Sequence, residues 1–116
     1  TAKKRILGLI QRYGADVVYV VDSAGGMLTA ELEHYFAAVR DVSEIDIGFH
    51  GHNNLDLAVA NSLRAVELGA AIVDTSLQGF GRSAGNTATE VFLPVLRRFG
   101  LDLGIDPLLV VTWSFG

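Results

Sequence analysis

The feature that most limits what this chain can fold into is a repeated alternation between strand-like and helix-like hydrophobic patterns. Apolar, β-branched runs start near residues 17, 46 and 71, and each follows a segment whose apolar residues recur at helical spacing. Separations of about 25–30 residues between strand starts are typical of βα repeats in a parallel sheet. The pattern therefore predicts the order α-β-α-β-α-β-α in one α/β domain.

Two details of this pattern concern the placement of apolar side chains. The run Val17–Val21 contains only β-branched and aromatic residues, which indicates a strand that is buried on both faces of the sheet. In the third helix, the apolar side chains form one stripe at helical spacing, as in an amphipathic helix. It consists of Leu55, Val59, Leu63 and Val66.

The length of the chain leaves two architectures open. A (β/α)8 barrel typically takes about 250 residues, so a chain of 116 residues corresponds to rather under half of one. The alternative is a small open sheet such as a flavodoxin-like domain. The third predicted strand covers residues 71–76, and the tail, residues 101–116, contains a further strand-like run at Leu108–Trp113 to which no role is assigned.

Composition and charge exclude several classes of protein. The chain has no cysteine, so disulfides and thiolate metal sites are excluded and a cytoplasmic location is compatible. Its net charge is −4 and its longest basic run is Lys3-Lys4-Arg5, so it lacks the charge pattern of a nucleic-acid-binding protein. No apolar stretch approaches the roughly 20 residues that a membrane span needs. Any metal ion must therefore be held by His, Asp, Glu or Asn side chains.

The histidines at the end of the second predicted strand form the first candidate site. His50 and His52 are separated by one residue, so on a strand both imidazoles point to the same side of the sheet. We expect Gly51 to leave room between them for an ion. Imidazole nitrogens bind Mn2+, Fe2+, Co2+ or Zn2+, and also Mg2+ where oxygen ligands are added. The structural alternative is two partly buried histidines whose ring N–H groups donate to backbone carbonyls.

Asp22 and Ser23 occupy the equivalent place at the end of the first predicted strand. Ligands of parallel α/β sheets bind at the carboxyl ends of the strands, so these side chains are placed to orient a substrate carboxylate or a metal-bound water. The alternative is that one of them only caps the turn through Gly25 and Gly26. Local chemistry does not separate the two interpretations.

A glycine-rich segment, residues 79–86, follows the third predicted strand. The segment resembles a phosphate-binding loop, but its spacing matches neither the dinucleotide-binding nor the Walker pattern. A loop that closes over a substrate is an equally good interpretation. Arg82 is its one anion-binding side chain, or else a solvated surface charge. Asn86 either caps the last helix or offers its amide oxygen to a metal ion. For Asp74 and Glu90, a supporting role at the site and an ordinary structural role are both open.

Several ordered motifs together resemble those of one known group of proteins. They are Phe49-His50-Gly51-His52-Asn53-Asn54-Leu55, Val73-Asp74-Thr75-Ser76-Leu77-Gln78-Gly79, Gly81-Arg82-Ser83-Ala84-Gly85-Asn86 and Thr89-Glu90. This pattern is similar to that of the metal-dependent pyruvate-aldolase and HMG-CoA-lyase-like barrel superfamily, and most similar to its 4-hydroxy-2-oxovalerate aldolase branch. The resemblance extends from about Gly14 to Gly100 and does not include the tail.

The resemblance implies a fold, a cofactor and a reaction. The fold is a (β/α)8 barrel, of which residues 1–116 would form one partial domain in the C-terminal portion, about strands 5–7. The cofactor is Mn2+, or Mg2+ or Co2+, held by His50, His52 and Asn86, while Ser23 orients the substrate carboxylate. Arg82 is added as a substrate-binding candidate because of its charge. The reaction is retro-aldol cleavage of 4-hydroxy-2-oxo acids to pyruvate and an aldehyde, as part of aromatic hydrocarbon catabolism in the cytoplasm. An acylating aldehyde dehydrogenase is the implied partner.

One departure from the family pattern limits these expectations. The family's first-strand Asp-Gly-x-Arg-Asp segment, which supplies a metal-binding Asp and an Arg, does not occur in this sequence, so we expect the chain to be inactive alone. The nearest alternative function is that of an isopropylmalate or homocitrate synthase-type condensing enzyme, although His52-Asn53-Asn54 stands where we expect His-Asn-Asp in those synthases. The other alternative is a non-catalytic truncated remnant that associates with itself through its open sheet edges.

Overall fold

In a computed structural model, which describes residues 1–106, the chain folds into alternating helices and strands in the predicted order. Within these residues the elements are α1 (Ala2–Tyr13), β1 (Val17–Asp22), α2 (Leu32–Arg40), β2 (Asp46–Gly51), α3 (Ala58–Glu67), β3 (Ile72–Val73) and α4 (Thr89–Phe99). None of the helices in this part of the chain has both the length and the apolar character needed to cross a membrane. The strand-like run at Leu108–Trp113 lies outside the described residues.

The three strands form one parallel sheet in the order β1-β2-β3. β1 and β2 pair along their whole length, so the two strands end side by side. β3 pairs with β2 through Ile72 and Val73 alone, which makes it shorter than the predicted run of residues 71–76. It ends early because the chain then pairs elsewhere: the backbone N–H of Ser76 donates to the carbonyl of Thr87 at 3.0 Å.

One face of the sheet carries the hydrophobic core. Side chains on a strand alternate between faces, and Val20, Ile47 and Phe49 all point to the face that α2 and α3 cover. Ile47 and Phe49 have no exposed surface. The helical side chains that pack with them are Leu32, Phe36 and Val39 of α2 and Ala65 of α3.

The opposite face, formed by Tyr19, Val21, Gly48 and His50, is called the open face below. Tyr19 is 39% exposed and Val21 is 48% exposed, so the prediction that Val17–Val21 is buried on both faces is wrong for the described structure. A three-stranded sheet is too narrow to close on itself, so in the part of the chain that the structure describes this second face is partly exposed. Polar and aromatic side chains share this face, which is where the candidate site lies.

The most deeply buried side chains of α3 are small or polar, and they do not belong to its apolar stripe. Its buried residues are Ala58, Asn61, Ser62 and Ala65, whereas Val59 and Leu63 are only partly buried and Leu55 precedes the helix. The Asn61 amide donates to the Met27 carbonyl at 2.8 Å. Small side chains let α3 approach the sheet closely, and the hydrogen bond offsets the cost of burying the amide.

Candidate functional site

His50 and His52 lie at the carboxyl end of β2, where the sequence predicted a pair of imidazoles on one side of the strand. Both side chains are partly buried, and their ring centroids are 5.1 Å apart with an interplanar angle of 63°. Gly51 was expected to leave room for an ion between the two rings. It does not, because this position points to the core face. A Cβ at Gly51 would lie 2.8 Å from the Phe49 ring, so this glycine accommodates the core instead.

The ring of His50 is held by a carboxylate. Its Nδ1 lies 2.9 Å from Oδ2 of Asp74, and Oδ1 of Asp74 accepts a hydrogen bond from the Tyr19 hydroxyl at 3.2 Å. Desolvation by burial, followed by the charge of Asp74 and this hydrogen bond, raises the pKa of Tyr19. The structural alternative, in which each ring N–H donates to a backbone carbonyl, is therefore wrong for Nδ1 of His50. Asp74 belongs to the site rather than to the sheet interior.

Asn86 lies beside His52 and does not cap a helix. The two residues form an isolated antiparallel bridge, and α4 begins three residues later, at Thr89, so the capping interpretation of Asn86 is wrong. The Asn86 Nδ2 donates to the Phe80 carbonyl at 3.3 Å. Its Oδ1 is buried and has no hydrogen-bond partner among the described residues. A buried acceptor without a partner is uncommon, and this one fits the oxygen ligand of a metal ion.

The glycines of the segment 79–86 allow it to fold tightly around Asn86. Gly85 has a φ of +87°, and a Cβ there would lie 2.1 Å from the carbonyl oxygen of Gly79. A Cβ at Gly81 would lie 2.5 Å from Nδ2 of Asn86. Any side chain at either position would displace the backbone or the amide, so these glycines allow the loop to hold Asn86 in place.

Arg82 and Ser23 connect this glycine segment to the end of β1. The Arg82 guanidinium donates to the Ser23 carbonyl at 3.4 Å, and both residues are exposed. The guanidinium therefore lies beside Ser23 at the same edge of the sheet as the histidines. No role in substrate binding follows from this contact alone, but the structure does bring the two predicted substrate-binding residues together.

Asp22 and Glu90 stabilise turns near the site. The Asp22 carboxylate accepts hydrogen bonds from the backbone N–H groups of Gly26 and Met27, both at 3.1 Å, so it caps the turn after β1, as one of the two interpretations held. The Glu90 carboxylate is buried and accepts from the backbone N–H of Gln78 at 3.0 Å. Gln78 has a φ of +56°, an uncommon conformation for a residue other than glycine.

The residues present fit part of a metal coordination shell. Two imidazoles and one amide oxygen, from His50, His52 and Asn86, suit Mn2+, Co2+ or Zn2+, and also Mg2+ if further oxygen ligands are added. Within residues 1–106, no group of three or more His, Cys, Asp or Glu side chains is placed to hold a metal ion. Asn86 is not one of these four residue types, so it does not count toward such a group. A carboxylate ligand would have to come from outside the described residues.

Sequence reasoning did not identify Tyr19 as part of the site and left the role of Asp74 open. The signal for Asp74 was present, because it is a carboxylate that directly follows an apolar strand whose neighbour ends in two histidines. For Tyr19 there was no comparable signal. It lies in an apolar run, and its connection to Asp74 depends on which residue of β2 stands opposite it.

Comparisons with known proteins agree on one family. A family model described as HMGL-like matches residues 2–111, so the match extends into the tail, which the motifs had not covered. A protein named 4-hydroxy-2-oxovalerate aldolase from Geobacillus thermodenitrificans is 53% identical over 98 residues, which cover 84% of this chain and 29% of the relative. The protein named 4-hydroxy-2-oxovalerate aldolase 4 from Rhodococcus opacus is 53% identical over 97 residues, covering 84% and 28%. The chain thus spans less than a third of the length of these relatives.

Solved structures share the fold over most of the chain. The N-terminal domain of a putative aldolase from Bacteroides vulgatus matches with a TM-score of 0.79 and 35% identity, covering 86% of this chain and 33% of that one. The carboxyl transferase domain of Rhizobium etli pyruvate carboxylase, solved with pyruvate, matches with a TM-score of 0.83 and 27% identity, covering 98% and 19%. The neighbours are TIM-barrel domains, so the predicted fold class, parallel βα repeats of a partial (β/α)8 barrel, is confirmed. The assignment to about strands 5–7 stays a prediction.

Proposed function

Because the chain belongs to the HMGL-like family, we propose that it forms part of a divalent-metal-dependent aldolase that cleaves 4-hydroxy-2-oxo acids to pyruvate and an aldehyde. The observation that carries the proposal is the unpartnered, buried Oδ1 of Asn86, a residue whose backbone pairs with His52 at the strand end where His50 also lies. The relatives named 4-hydroxy-2-oxovalerate aldolase support cleavage of that substrate. They also favour cleavage over the condensation that an isopropylmalate or homocitrate synthase performs.

In this proposal each residue of the site has a defined role. His50, His52 and Asn86 hold the ion, for which Mn2+ is the proposed metal and Mg2+ or Co2+ the alternatives. When bound, the ion supplies Lewis-acid polarisation of the keto and carboxylate oxygens of a 2-oxo acid. Ser23 orients the substrate carboxylate. Arg82, whose guanidinium lies at the Ser23 carbonyl, adds a positive charge next to the same carboxylate.

The reaction is proposed for a whole barrel rather than for these residues alone. The chain spans 29% of the Geobacillus thermodenitrificans relative, and within residues 1–106 the ligand set lacks a third charged or imidazole group. We therefore expect the 116-residue chain to bind Mn2+ weakly and to release no pyruvate from 4-hydroxy-2-oxovalerate. Pyruvate release by the purified chain at the rate of a complete aldolase would contradict this expectation.

A chimeric enzyme tests the function without depending on an isolated fragment. The 98 matched residues of the Geobacillus thermodenitrificans aldolase are replaced by their counterparts from this chain, and pyruvate release is followed with lactate dehydrogenase. The chimera should be active with Mn2+ and inactive after chelation. The substitutions His50→Ala and His52→Ala should each lower kcat/KM by at least about 100-fold, because loss of a group that only supports a ligand already costs 10–100-fold.

Two controls make the chimera experiment decisive. Glu44→Gln removes an exposed carboxylate before β2, at the end of the sheet away from the histidines, and should leave kcat/KM unchanged. Acetyl-CoA is offered with a 2-oxo acid in a parallel assay. Consumption of acetyl-CoA without pyruvate release from 4-hydroxy-2-oxovalerate would replace the aldolase by a condensing enzyme. A well-folded chimera with neither activity would support the non-catalytic remnant.

Ser23→Ala in the chimera tests the proposed carboxylate contact. The loss of one hydrogen bond to a charged group should raise KM for the 2-oxo acid about 10–100-fold, since such bonds are worth about 1.5–3 kcal/mol. Metal affinity should not change, because Ser23 is not among the proposed ligands. An unchanged KM would show that Ser23 does not bind the substrate.

The acylating aldehyde dehydrogenase stays a proposed partner. Its co-purification with the complete enzyme is the corresponding test.

A further inference from the structure

The side chains of Tyr19, Asp74 and His50 connect all three strands across the open face. Tyr19 lies in β1 and Asp74 directly follows β3, so the phenol has to cross β2 to reach the carboxylate. It can do so because Gly48 stands opposite Tyr19 in the register. A Cβ at Gly48 would lie 2.6 Å from the Tyr19 ring, so the absence of a side chain there provides the path.

Both oxygens of the Asp74 carboxylate have a defined partner. Oδ1 accepts from the Tyr19 hydroxyl at 3.2 Å, and Oδ2 lies 2.9 Å from Nδ1 of His50. The backbone of Asp74 is fixed as well, since its N–H donates to the Phe49 carbonyl at 3.0 Å. The carboxylate is therefore held from two sides at one position relative to the imidazole.

An ionised carboxylate has only acceptor sites, and this property determines the tautomer of His50. A hydrogen bond between Nδ1 and Asp74 requires the proton to be on Nδ1. In the neutral imidazole the lone pair is then on Nε2, at the far side of the ring. An asparagine at position 74 would not impose this choice, because its amide can either donate to Nδ1 or accept from it.

We propose that Asp74 is a positioning residue, which holds His50 in the Nδ1–H tautomer and leaves Nε2 as its ligand atom. The identity of the ion that Nε2 binds rests on the proposed function. The tautomer of His50 does not depend on it. Carboxylates that accept from metal-binding imidazoles fix the orientation of the ring and make it a better ligand.

A purely structural role explains the contact less well. The Asp74 side chain is 43% exposed and that of His50 is 29% exposed, and ion pairs with this degree of exposure contribute little to folding. Variants at position 74 should therefore fold. Their unfolding midpoint in urea, followed by circular dichroism, should stay close to that of the wild type.

The first measurement is the tautomer of His50 in the 116-residue chain without metal. Long-range 15N–1H correlation spectra of 15N-labelled protein, recorded at a pH where imidazoles are neutral, distinguish Nδ1–H from Nε2–H, and a His50→Ala variant assigns the signals. The wild type should show Nδ1–H, and Asp74→Asn should give a mixture. Asp46→Asn, which removes an exposed carboxylate at the opposite end of β2, should leave the spectrum unchanged. A wild-type His50 with its proton on Nε2 would overturn the proposal.

The second measurement is the Mn2+ affinity of the chimera by isothermal titration, because the 116-residue chain alone should bind Mn2+ only weakly. Asp74→Asn should weaken binding about 10–100-fold, Tyr19→Phe should weaken it less, and Asp46→Asn should not change it. An Asp74→Asn variant with wild-type tautomer and affinity would contradict the proposal. If the wild type bound Mn2+ no better than His50→Ala, the proposed metal site would be wrong. A tautomer that depends on Asp74 would then still establish its positioning role, so the two failures are distinguishable.

Discussion

On the face of the sheet that α2 and α3 cover, Ile47 and Phe49 of β2 have no exposed surface, whereas on the open face the His50 side chain is 29% exposed. Both faces come from one strand, and neighbouring residues differ in what they contact. The covered face contains apolar side chains whose burial stabilises the fold. The open face contains polar groups held by specific hydrogen bonds, which contribute little to folding but fix positions. We therefore expect stability and metal binding to respond to different residues of the same strand.

The largest expected effect on stability comes from the covered face. Phe49→Ala should lower the free energy of unfolding by about 3–5 kcal/mol, because a fully buried aromatic ring is replaced by a cavity. The ring also packs against Gly51, where no Cβ is present. Urea unfolding followed by circular dichroism measures the change. A loss below about 1 kcal/mol would mean that the covered face is not the main source of stability.

A smaller loss is expected at the buried polar position of α3. Asn61→Ala removes the amide that donates to the Met27 carbonyl at 2.8 Å and accepts from the Thr29 hydroxyl at 2.7 Å. The carbonyl is then left unsatisfied in a buried location, which costs about 1–3 kcal/mol. Ala60→Ser, at an exposed position of the same helix, serves as the control. Equal unfolding midpoints for the two variants would show that Asn61 does not stabilise the covered face.

On the open face, Gly48→Ala should cost about 1 kcal/mol, because the added methyl overlaps a ring whose exposed end can move. The Tyr19 hydroxyl should then lose its hydrogen bond to Asp74. The raised pKa of Tyr19 should fall toward the ordinary value of about 10. Ultraviolet titration of the phenols detects this shift. The stability linked to the neutral Tyr19 phenol is present below about pH 10 and is lost as the pH rises through the raised pKa. An unchanged Tyr19 titration would disprove the crossing over β2.

The smallest effect is expected for Val21→Thr, an almost isosteric change at a side chain that is 48% exposed on the open face. Solvent can hydrate the new hydroxyl, so the free energy of unfolding should change by less than about 0.5 kcal/mol. The matched substitution Val20→Thr puts the same hydroxyl on the covered face, where it should cost more. Equal losses in the free energy of unfolding for the two variants would show that the two faces do not differ in their contribution to stability.

The fold was predictable where local pattern and tertiary packing agree. The order of helices and strands along the chain follows from hydrophobic period and spacing, and it is confirmed. The buried face of α3 was not predictable, because Asn61 and Ser62 are polar and their burial depends on partners distant in sequence. The Ser62 hydroxyl, for example, lies 2.7 Å from that of Thr87. Hydrophobicity alone identifies the apolar stripe but not these buried polar positions.

The candidate site was predictable to the extent that strand ends converge. His50 and His52 could be paired because both lie at the end of one predicted strand, where ligands of parallel sheets bind, whereas Asn86 joined them only through the family resemblance. The Tyr19–Asp74 contact required knowledge of register, since it depends on Gly48 standing opposite Tyr19. Register is a property of paired strands and is not encoded in any one of them.

The alternation within β2 also has a consequence for which genetic changes this segment tolerates. Substitutions can alter the core and the histidines independently, because Phe49 and His50 point in opposite directions. The loss of one codon between residues 46 and 48 affects both faces at once, because a shift of one position turns every following side chain of the strand to the other face. Phe49 would then meet solvent and His50 would enter the core. In-frame insertions and deletions should therefore be rarer in this strand than substitutions.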